Sequence, residues 1–300
     1  MARRPMSRLM KREAIDGYIF ILPWLLGFLL WTAGPMLASV ILSLMRWDLF
    51  SAPVWAGLKN FQDLFRNPLV GVAFYNTAFY TFLSVPINLT TALITALLLN
   101  QRIKFQSFFR TFFYLPGIMP AVANAVLWLW ILNPDIGLAN SLLKMLGLPT
   151  SQWLWHPASS KPSFILIGLW STGNTMVIFL AGLQGIPQSL YEAAEIDGAN
   201  WYHRFRAVTL PMLSPVILFN LVLGIIGTFQ IFTGAYLMTN GGPQNSTLFA
   251  VLYLYRLAFE QFNMGLASAF AWLLFFVILG FTLIQLRLSR SWVYYEGGEA

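Results

Sequence analysis

The stretch "VAFYNTAFYTFLSVPINLTTALITALLL", residues 72–99, contains no charged side chain. A helix needs roughly 20 mostly apolar residues to cross the hydrocarbon core of a bilayer, and this run is longer. Only helices and closed barrels satisfy their backbone in lipid, and a continuous apolar run lacks the alternation of a barrel strand. The stretch therefore reads as a membrane-spanning helix. Five further runs qualify, at about 18–44, 108–132, 162–183, 212–237 and 265–286. The composition agrees. Charged residues make up 10% of the chain, against about 25% in a soluble domain, too few to coat a water-facing surface. The expected fold class is an all-α integral membrane protein with six transmembrane helices.

The first run follows a basic segment, yet it far exceeds a signal-peptide core of roughly 7–15 residues and no A-x-A site follows, so it reads as a retained span. Six spans place both termini on one side. That side carries Arg3, Arg4, Arg8, Lys11, Arg12, Arg102, Lys104, Arg110, Arg204, Arg206, Arg287 and Arg290. The other side carries Arg46, Lys59, Arg66, Lys144, Lys161 and Arg256, spread over longer loops. The excess puts both termini in the cytoplasm of a multi-pass protein. The expected organisation is a cytoplasmic arm at 1–16, a transmembrane domain at 17–290 and a cytoplasmic tail at 291–300. Loops at 46–71, 133–161 and 238–264 face outside. There is no basic tract with interleaved aromatics, so nucleic acid is not an expected partner. There are no cysteines, hence no thiolate metal site. His156 and His203 fall in loops on opposite sides and cannot share a metal.

Between the fourth and fifth runs lies a polar cytoplasmic loop, 185–211, containing "YEAAEIDGANWYHRFRAVTLP" at 191–211. Gly185, Pro187 and Gln188 break the fourth run. Ser189-Leu190-Tyr191-Glu192 has the spacing of a capping box. A short helix then passes through Ala193, Ala194, Glu195 and Ile196. Asp197-Gly198 is a turn signal, with Gly198 suited to the left-handed conformation that ends a helix. A second short amphipathic helix is expected from Ala199 to Val208, stopped by Leu210-Pro211. The product is a bent pair of helices with a small, acidic tip.

The order Glu192-Ala193-Ala194, Asp197-Gly198-Ala199, Phe205, Leu210-Pro211 resembles the EAA loop of permease subunits of binding-protein-dependent ABC importers. "YLMTNGGPQNST" (236–247), "AFEQFNMGLASA" (258–269), "YLPGIMPAVANAVLWLWIL" (114–132) and "NTAFYT" (76–81) are similar to the sugar branch, in particular to the first permease of maltose- and glycerol-3-phosphate-type systems. The resemblance runs from about residue 17 to the end. It implies a type I importer permease fold in the cytoplasmic (inner) membrane of a prokaryote, moving a sugar or sugar-like solute by alternating access. It implies a second homologous permease, two ATPase subunits and an external solute-binding protein as partners, with membrane lipid around them. Glu192, Ala193, Ala194, Glu195, Asp197 and Gly198 are then the coupling residues that dock into the ATPase.

No P-loop, H-E-x-x-H or G-x-S-x-G occurs, so no catalytic residue, metal site or cofactor is expected in this chain. ATP and Mg would belong to the partner ATPase subunits. Candidates for lining a pathway among the polar groups of the spans are Asn88, Asn124, Asn174, Thr175, Asn220, Thr228 and Gln230. Such groups are costly in lipid and face a cavity or another helix. Sugars are held by amides and aromatic faces, and in the resembled family spans four and five supply much of the sugar site. The expected pathway is therefore Trp170, Gly173 and Asn174 with Gly227, Phe229, Gln230 and Phe232. Packing between helices is the alternative for the same residues. A permease for a non-sugar solute is the alternative function. A self-sufficient secondary transporter is opposed by the spans' lack of acidic residues.

Overall fold

A computed structural model describes residues 7–101 and 103–294. Arg3, Arg4 and Arg102 of the basic set, and positions 295–300 of the expected tail, lie outside the described residues. Four helices are long and apolar enough to cross a membrane: Arg8–Ser43, Pro68–Leu99, Trp201–Phe229 and Met264–Ser289. Two bent pairs complete the six spans: Gln106–Ile118 with Ala121–Ile131, bent by 99°, and Pro157–Trp170 with Gly173–Gln184, bent by 47°.

The chain forms two compact units. The first comprises the chain through Arg66 together with Leu257–Leu273. Its long helix starts at Arg8, where the Ser7 hydroxyl accepts the Met10 N–H, so helix already occupies part of the segment expected as an arm. No residue of Arg8–Phe28 is buried within the chain. Tyr18, Phe20, Trp24 and Trp31 all stand out from it, a surface suited to lipid. Beyond Ser43 a two-residue antiparallel pairing, Met45–Arg46 with Val54–Trp55, interrupts the helical architecture. Buried Asn60 fastens it, donating through Nδ2 to the carbonyls of Ser43 and Met45, each at 2.8 Å. Gly265 packs on the same turn. A Cβ there would stand 1.9 Å from the Met45 carbonyl oxygen, so no other residue fits.

The second unit, Asn67–Arg256 with Leu274 onward, is built on the helix Pro68–Leu99. Ala92 and Ala96 are fully buried and pack with Met176, Phe179, Leu180, Leu183 and Leu213. Lipid gives no hydrophobic drive for helices to associate, so small residues that permit close approach matter more than in water. Gly182 serves the same end between the fourth and fifth spans, since a Cβ there would meet Leu213 and Val216 side chains at 2.9 Å.

Polar ties hold the end of this unit that carries residues 240–250. Asn76 Nδ2 donates to the carbonyls of Asn245 (2.7 Å) and Leu248 (3.3 Å), and Lys161 Nζ donates to Asn76 Oδ1 at 2.9 Å. The ammonium also lies over the rings of Tyr75 and Phe79, 5.0 and 4.8 Å from their centroids. Thr77 Oγ1 accepts the Ala250 N–H at 2.9 Å where a helix begins, and donates to the Ala73 carbonyl at 2.8 Å.

Three boundaries differ from the sequence expectation. The fourth span begins at Pro157, because His156 Nδ1 accepts the Ala158 N–H at 3.2 Å and Pro157 occupies the first helical turn. Leu210-Pro211 does not stop a helix. A π turn at Phe205–Thr209 precedes it, with the Leu210 N–H bonding the Phe205 carbonyl. The wider turn absorbs the proline's missing donor, so the expected short helix 199–208 is instead the start of the fifth span. That span ends at Phe229 rather than near 237. The Gln230 and Ile231 N–H groups reach back only three residues, to Gly227 and Thr228, and the tightened turn closes the helix.

Thr77→Val keeps the shape but strands the buried Ala250 N–H. The expected cost is about 1–3 kcal/mol, the scale for an unpaired buried donor. It should appear as a lower thermal midpoint of the purified protein, with Thr77→Ser close to the parent.

Candidate functional site

The polar loop opens with a break. Helix Gly173–Gln184 ends at Gly185, and helix Gln188–Ile196 begins after Pro187. Pro187 is the N-terminal flanking residue and no side chain caps this helix. The expected capping box of Ser189 and Glu192 does not form, because the helix starts two residues earlier and Ser189 already lies inside its first turn. Glu192 is left exposed.

The far end is as the residues predict. The Gly198 N–H bonds the Glu195 carbonyl (3.0 Å) and the Ala199 N–H bonds the Ala194 carbonyl (2.9 Å), the paired bonds of a Schellman closure. Gly198 has φ +77° with open space around it. Its requirement for glycine is therefore one of backbone conformation. Asn200 Oδ1 then accepts the His203 N–H at 3.0 Å and starts the next helix.

Two contacts tie the tip helix to the fifth span. Arg204 forms an ion pair with Glu195, and the Tyr191 hydroxyl meets Thr209 Oγ1 at 3.0 Å. Glu195 is thus spent inside the loop. Among the described residues, the side chains of Glu192 and Asp197 have no hydrogen-bond partner, and with Ala193 and Gly198 they are exposed; Ala194 is half-buried. The sequence reading passed over Ile196, which is 87% exposed and makes the tip apolar as well as acidic. The available signal was a large aliphatic residue beside a turn, between two acids.

A second feature lies where spans two, four and five meet. A cleft of about 360 Å³ is lined by Asn88, Ser171, Thr172, Asn174, Thr175, Asn220, Thr228 and several apolar residues, with no charged side chain. Gly224 and Gly227 widen it. Its position follows from the break at Ser171-Thr172, which bends the fourth span. Asn88 Nδ2 donates to Ser84 Oγ (2.8 Å), and Asn220 Nδ2 donates to the Val216 carbonyl (2.9 Å). Asn88 Oδ1 is buried without a partner.

Of the expected pathway residues, Asn174 and Gly227 line this cleft. The others do not. Trp170 packs edge-on against Trp128 at 6.1 Å. Gly173 is buried where a Cβ would stand 2.5 Å from the Phe113 carbonyl oxygen. Phe229 is buried against Phe281 at 5.5 Å. Gln230 is the exposed cap of the fifth span, and Phe232 stacks on Tyr236 and packs at a tilt against Tyr255. The last two were placed by an over-long fifth span. The residues that do converge recur at helical spacing: Asn220 and Thr228 with Gly224 and Gly227 on one face of the fifth span, and Ser171, Thr172, Asn174 and Thr175 at the bend.

Residues 88–293 match the family described as "Binding-protein-dependent transport system inner membrane component". The chain belongs to this family of ABC importer permeases. It is 42% identical to the probable ABC transporter permease protein YesP of Bacillus subtilis, over 98% of this chain and 96% of that protein. It is 35% identical to the trehalose/maltose transport system permease protein MalF of Thermococcus litoralis, covering 95% and 97%. It also superposes on a chain of a bacterial alginate ABC transporter solved in complex with an alginate pentasaccharide-bound periplasmic protein. There the TM-score is 0.83 at 25% identity, covering 95% of this chain and 98% of that one. The six-helix architecture is thus that of a type I importer permease. The polar loop falls inside the matched region, as do all lining residues of the cleft except Val85.

If the cleft carries solute through this permease, Asn220→Leu should lower uptake of the solute delivered by its binding protein into membrane vesicles. Gln230→Leu should leave uptake near the parent level. Equal losses in the two variants, at equal amounts of inserted protein, would count against the cleft.

Proposed function

We propose that this permease is one of the two transmembrane subunits of an ATP-driven importer for a sugar or sugar-like solute in a prokaryotic cytoplasmic membrane. The observation that carries the reading is the cleft, whose amides and hydroxyls offer neutral hydrogen bonding at the bend of the fourth span. Relatives named for trehalose and maltose, and a structural neighbour involved with alginate, support a carbohydrate cargo. Amide and hydroxyl groups suit a polyhydroxylated solute, which exchanges water hydrogen bonds for protein ones at little net cost.

The chain itself catalyses nothing in this account. A second permease completes the pathway, two ATPase subunits bind ATP and Mg inside the cell, and a solute-binding protein delivers cargo outside. Both termini are cytoplasmic, as the charge asymmetry requires. The tip formed by Glu192, Ala193, Ala194, Ile196, Asp197 and Gly198 sits in a groove of the ATPase. Ile196 supplies apolar contact, and Glu192 and Asp197 meet basic groups. ATPase closure pushes on the tip. The Glu195–Arg204 pair and the Tyr191–Thr209 contact pass that push to the base of the fifth span. Gly185 to Pro187 let the fourth span bend away independently. The fifth span carries one wall of the cleft, so its displacement changes access to solute.

Gly198→Val tests the docking. A β-branched residue is strained at φ +77°, at roughly 1–2 kcal/mol for the left-handed region, and it enlarges the tip. The expected result is lost transport and reduced recovery of ATPase with the purified permease, at normal insertion. Normal transport with normal ATPase recovery would contradict the docking.

A further inference from the structure

The end of the first span and the start of the sixth enclose a pocket of about 550 Å³, lined among others by Arg46, Asp48, Asn60, Asp63, Gln261 and Asn263. It lies wholly within the first unit and shares no residue with the cleft. Small-molecule sites span roughly 300–1,000 Å³, so it has room for a ligand. Its frame is tied from within the unit. The Trp47 carbonyl accepts the Met264 N–H at 2.9 Å. Asn263 Oδ1 accepts the Leu266 N–H at 3.2 Å, and the rings of Phe50 and Phe262 meet at 5.3 Å.

The polar groups inside are incompletely used. Asn60 is only 3% exposed. Its Nδ2 bonds the carbonyls of Ser43 and Met45, but its Oδ1 accepts from no described residue. Neither Arg46 nor Asp63 forms an ion pair among the described residues. Asp48 is held by its own turn. The Ser51 N–H and hydroxyl, with the Phe50 N–H, bond its two oxygens and keep its carboxyl below the usual carboxylate range. The pocket therefore offers one guanidinium and two carboxylates, together with the neutral amides of Asn60, Gln261 and Asn263.

Its position says what it faces. The first apolar run ends at about residue 44 and the sixth begins at about 265. Arg46 and Asn263 thus stand where hydrocarbon gives way to headgroups. Phe50, Val54, Trp55 and Leu58 are all exposed on the same loop. Such a group of apolar side chains suits the interfacial layer rather than water.

We propose that this pocket binds the headgroup of a zwitterionic phospholipid that carries a primary ammonium. Arg46 takes the phosphate through charge-assisted hydrogen bonds. Asp63 and Asp48 take the ammonium, with Asn60 Oδ1 as a further acceptor, and the acyl chains lie against Phe50, Val54 and Trp55. A primary ammonium brings three N–H donors to these oxygens, whereas a quaternary ammonium brings none. A purely anionic headgroup would meet two carboxylates. The site is independent of what the permease carries.

The test uses the full chain, purified with its partner subunits and stripped of lipid in detergent. It is titrated with phosphatidylethanolamine, phosphatidylcholine and phosphatidylglycerol of identical acyl chains, and bound lipid is counted by native mass spectrometry. The expected result is binding of the ethanolamine lipid roughly tenfold tighter than the choline lipid, the scale of one charge-assisted hydrogen bond. Asp63→Asn should erase that preference, and Arg46→Gln should weaken both lipids. Equal affinity for the two lipids in the parent, or a preference unchanged in both variants, overturns the proposal. Tightest binding of phosphatidylglycerol marks an anion site at Arg46 alone and also overturns it. Glycerophosphoethanolamine, the headgroup without its chains, should bind the parent far more weakly than the lipid. Equal binding shows a site for the free headgroup and overturns the lipid assignment. If Asp63→Asn does not assemble, the comparison of ethanolamine with choline lipid on the parent decides.

Discussion

In a bilayer every backbone N–H and C=O must find its partner within the protein, and this constraint governs where the chain is allowed to be irregular. Most of the second unit obeys it with unbroken helix. Three of its interruptions show how the backbone is satisfied locally. At Ser171-Thr172 the Thr172 hydroxyl donates to the Leu169 carbonyl at 3.2 Å, and the Ser171 N–H bonds Gly168. At Phe205–Thr209 a π turn accommodates Pro211. At Phe229 a tightened turn closes the fifth span. The cleft and the polar loop both adjoin such interruptions. A continuous helix offers lipid only side chains, while a break offers the bend and the space in which a polar solute can be held.

The polar loop at 185–211 obeys a different economy. It is polar and mostly exposed, yet its geometry is fixed at both ends. Pro187 sets the entry, the Gly198 closure sets the exit, and the Glu195–Arg204 pair with the Tyr191–Thr209 contact fastens the short helix to the next span. None of these contacts is strong singly, since exposed ion pairs contribute little to stability. Their value lies in removing internal freedom from a part proposed to transmit force. A tip that flexed on its own would absorb the motion of the ATPase.

Much of this was readable in the residues. The apolar runs give six spans, and Asp197-Gly198 gives a positive-φ turn, because hydrophobic length and glycine conformation are local properties. The boundaries of the fifth span were not readable. Pro211 looks like a stop unless one knows that a π turn precedes it, and that turn depends on packing rather than on composition. The lining of the cleft was half legible for a related reason. Asn174 and Gly227 line the cleft, but Phe229, Gln230 and Phe232 were drawn in by an aromatic-amide pattern whose rotation about the helix axis was unknown. Polar and small residues at spacings of three and four, Asn220 to Gly224 to Gly227 and Thr228, held the better signal. The Glu192 cap failed for a small reason, a helix beginning two residues early at Gln188.

The central claim is that the tip closed by Gly198 is the contact through which the ATPase moves this permease. The most direct measurement replaces Ile196, the most exposed large side chain of the tip, by a photo-crosslinking amino acid in the assembled complex. The account predicts a covalent adduct between this chain and the ATPase subunit on illumination. Adducts to lipid alone, with the ATPase present and unmodified, would contradict it.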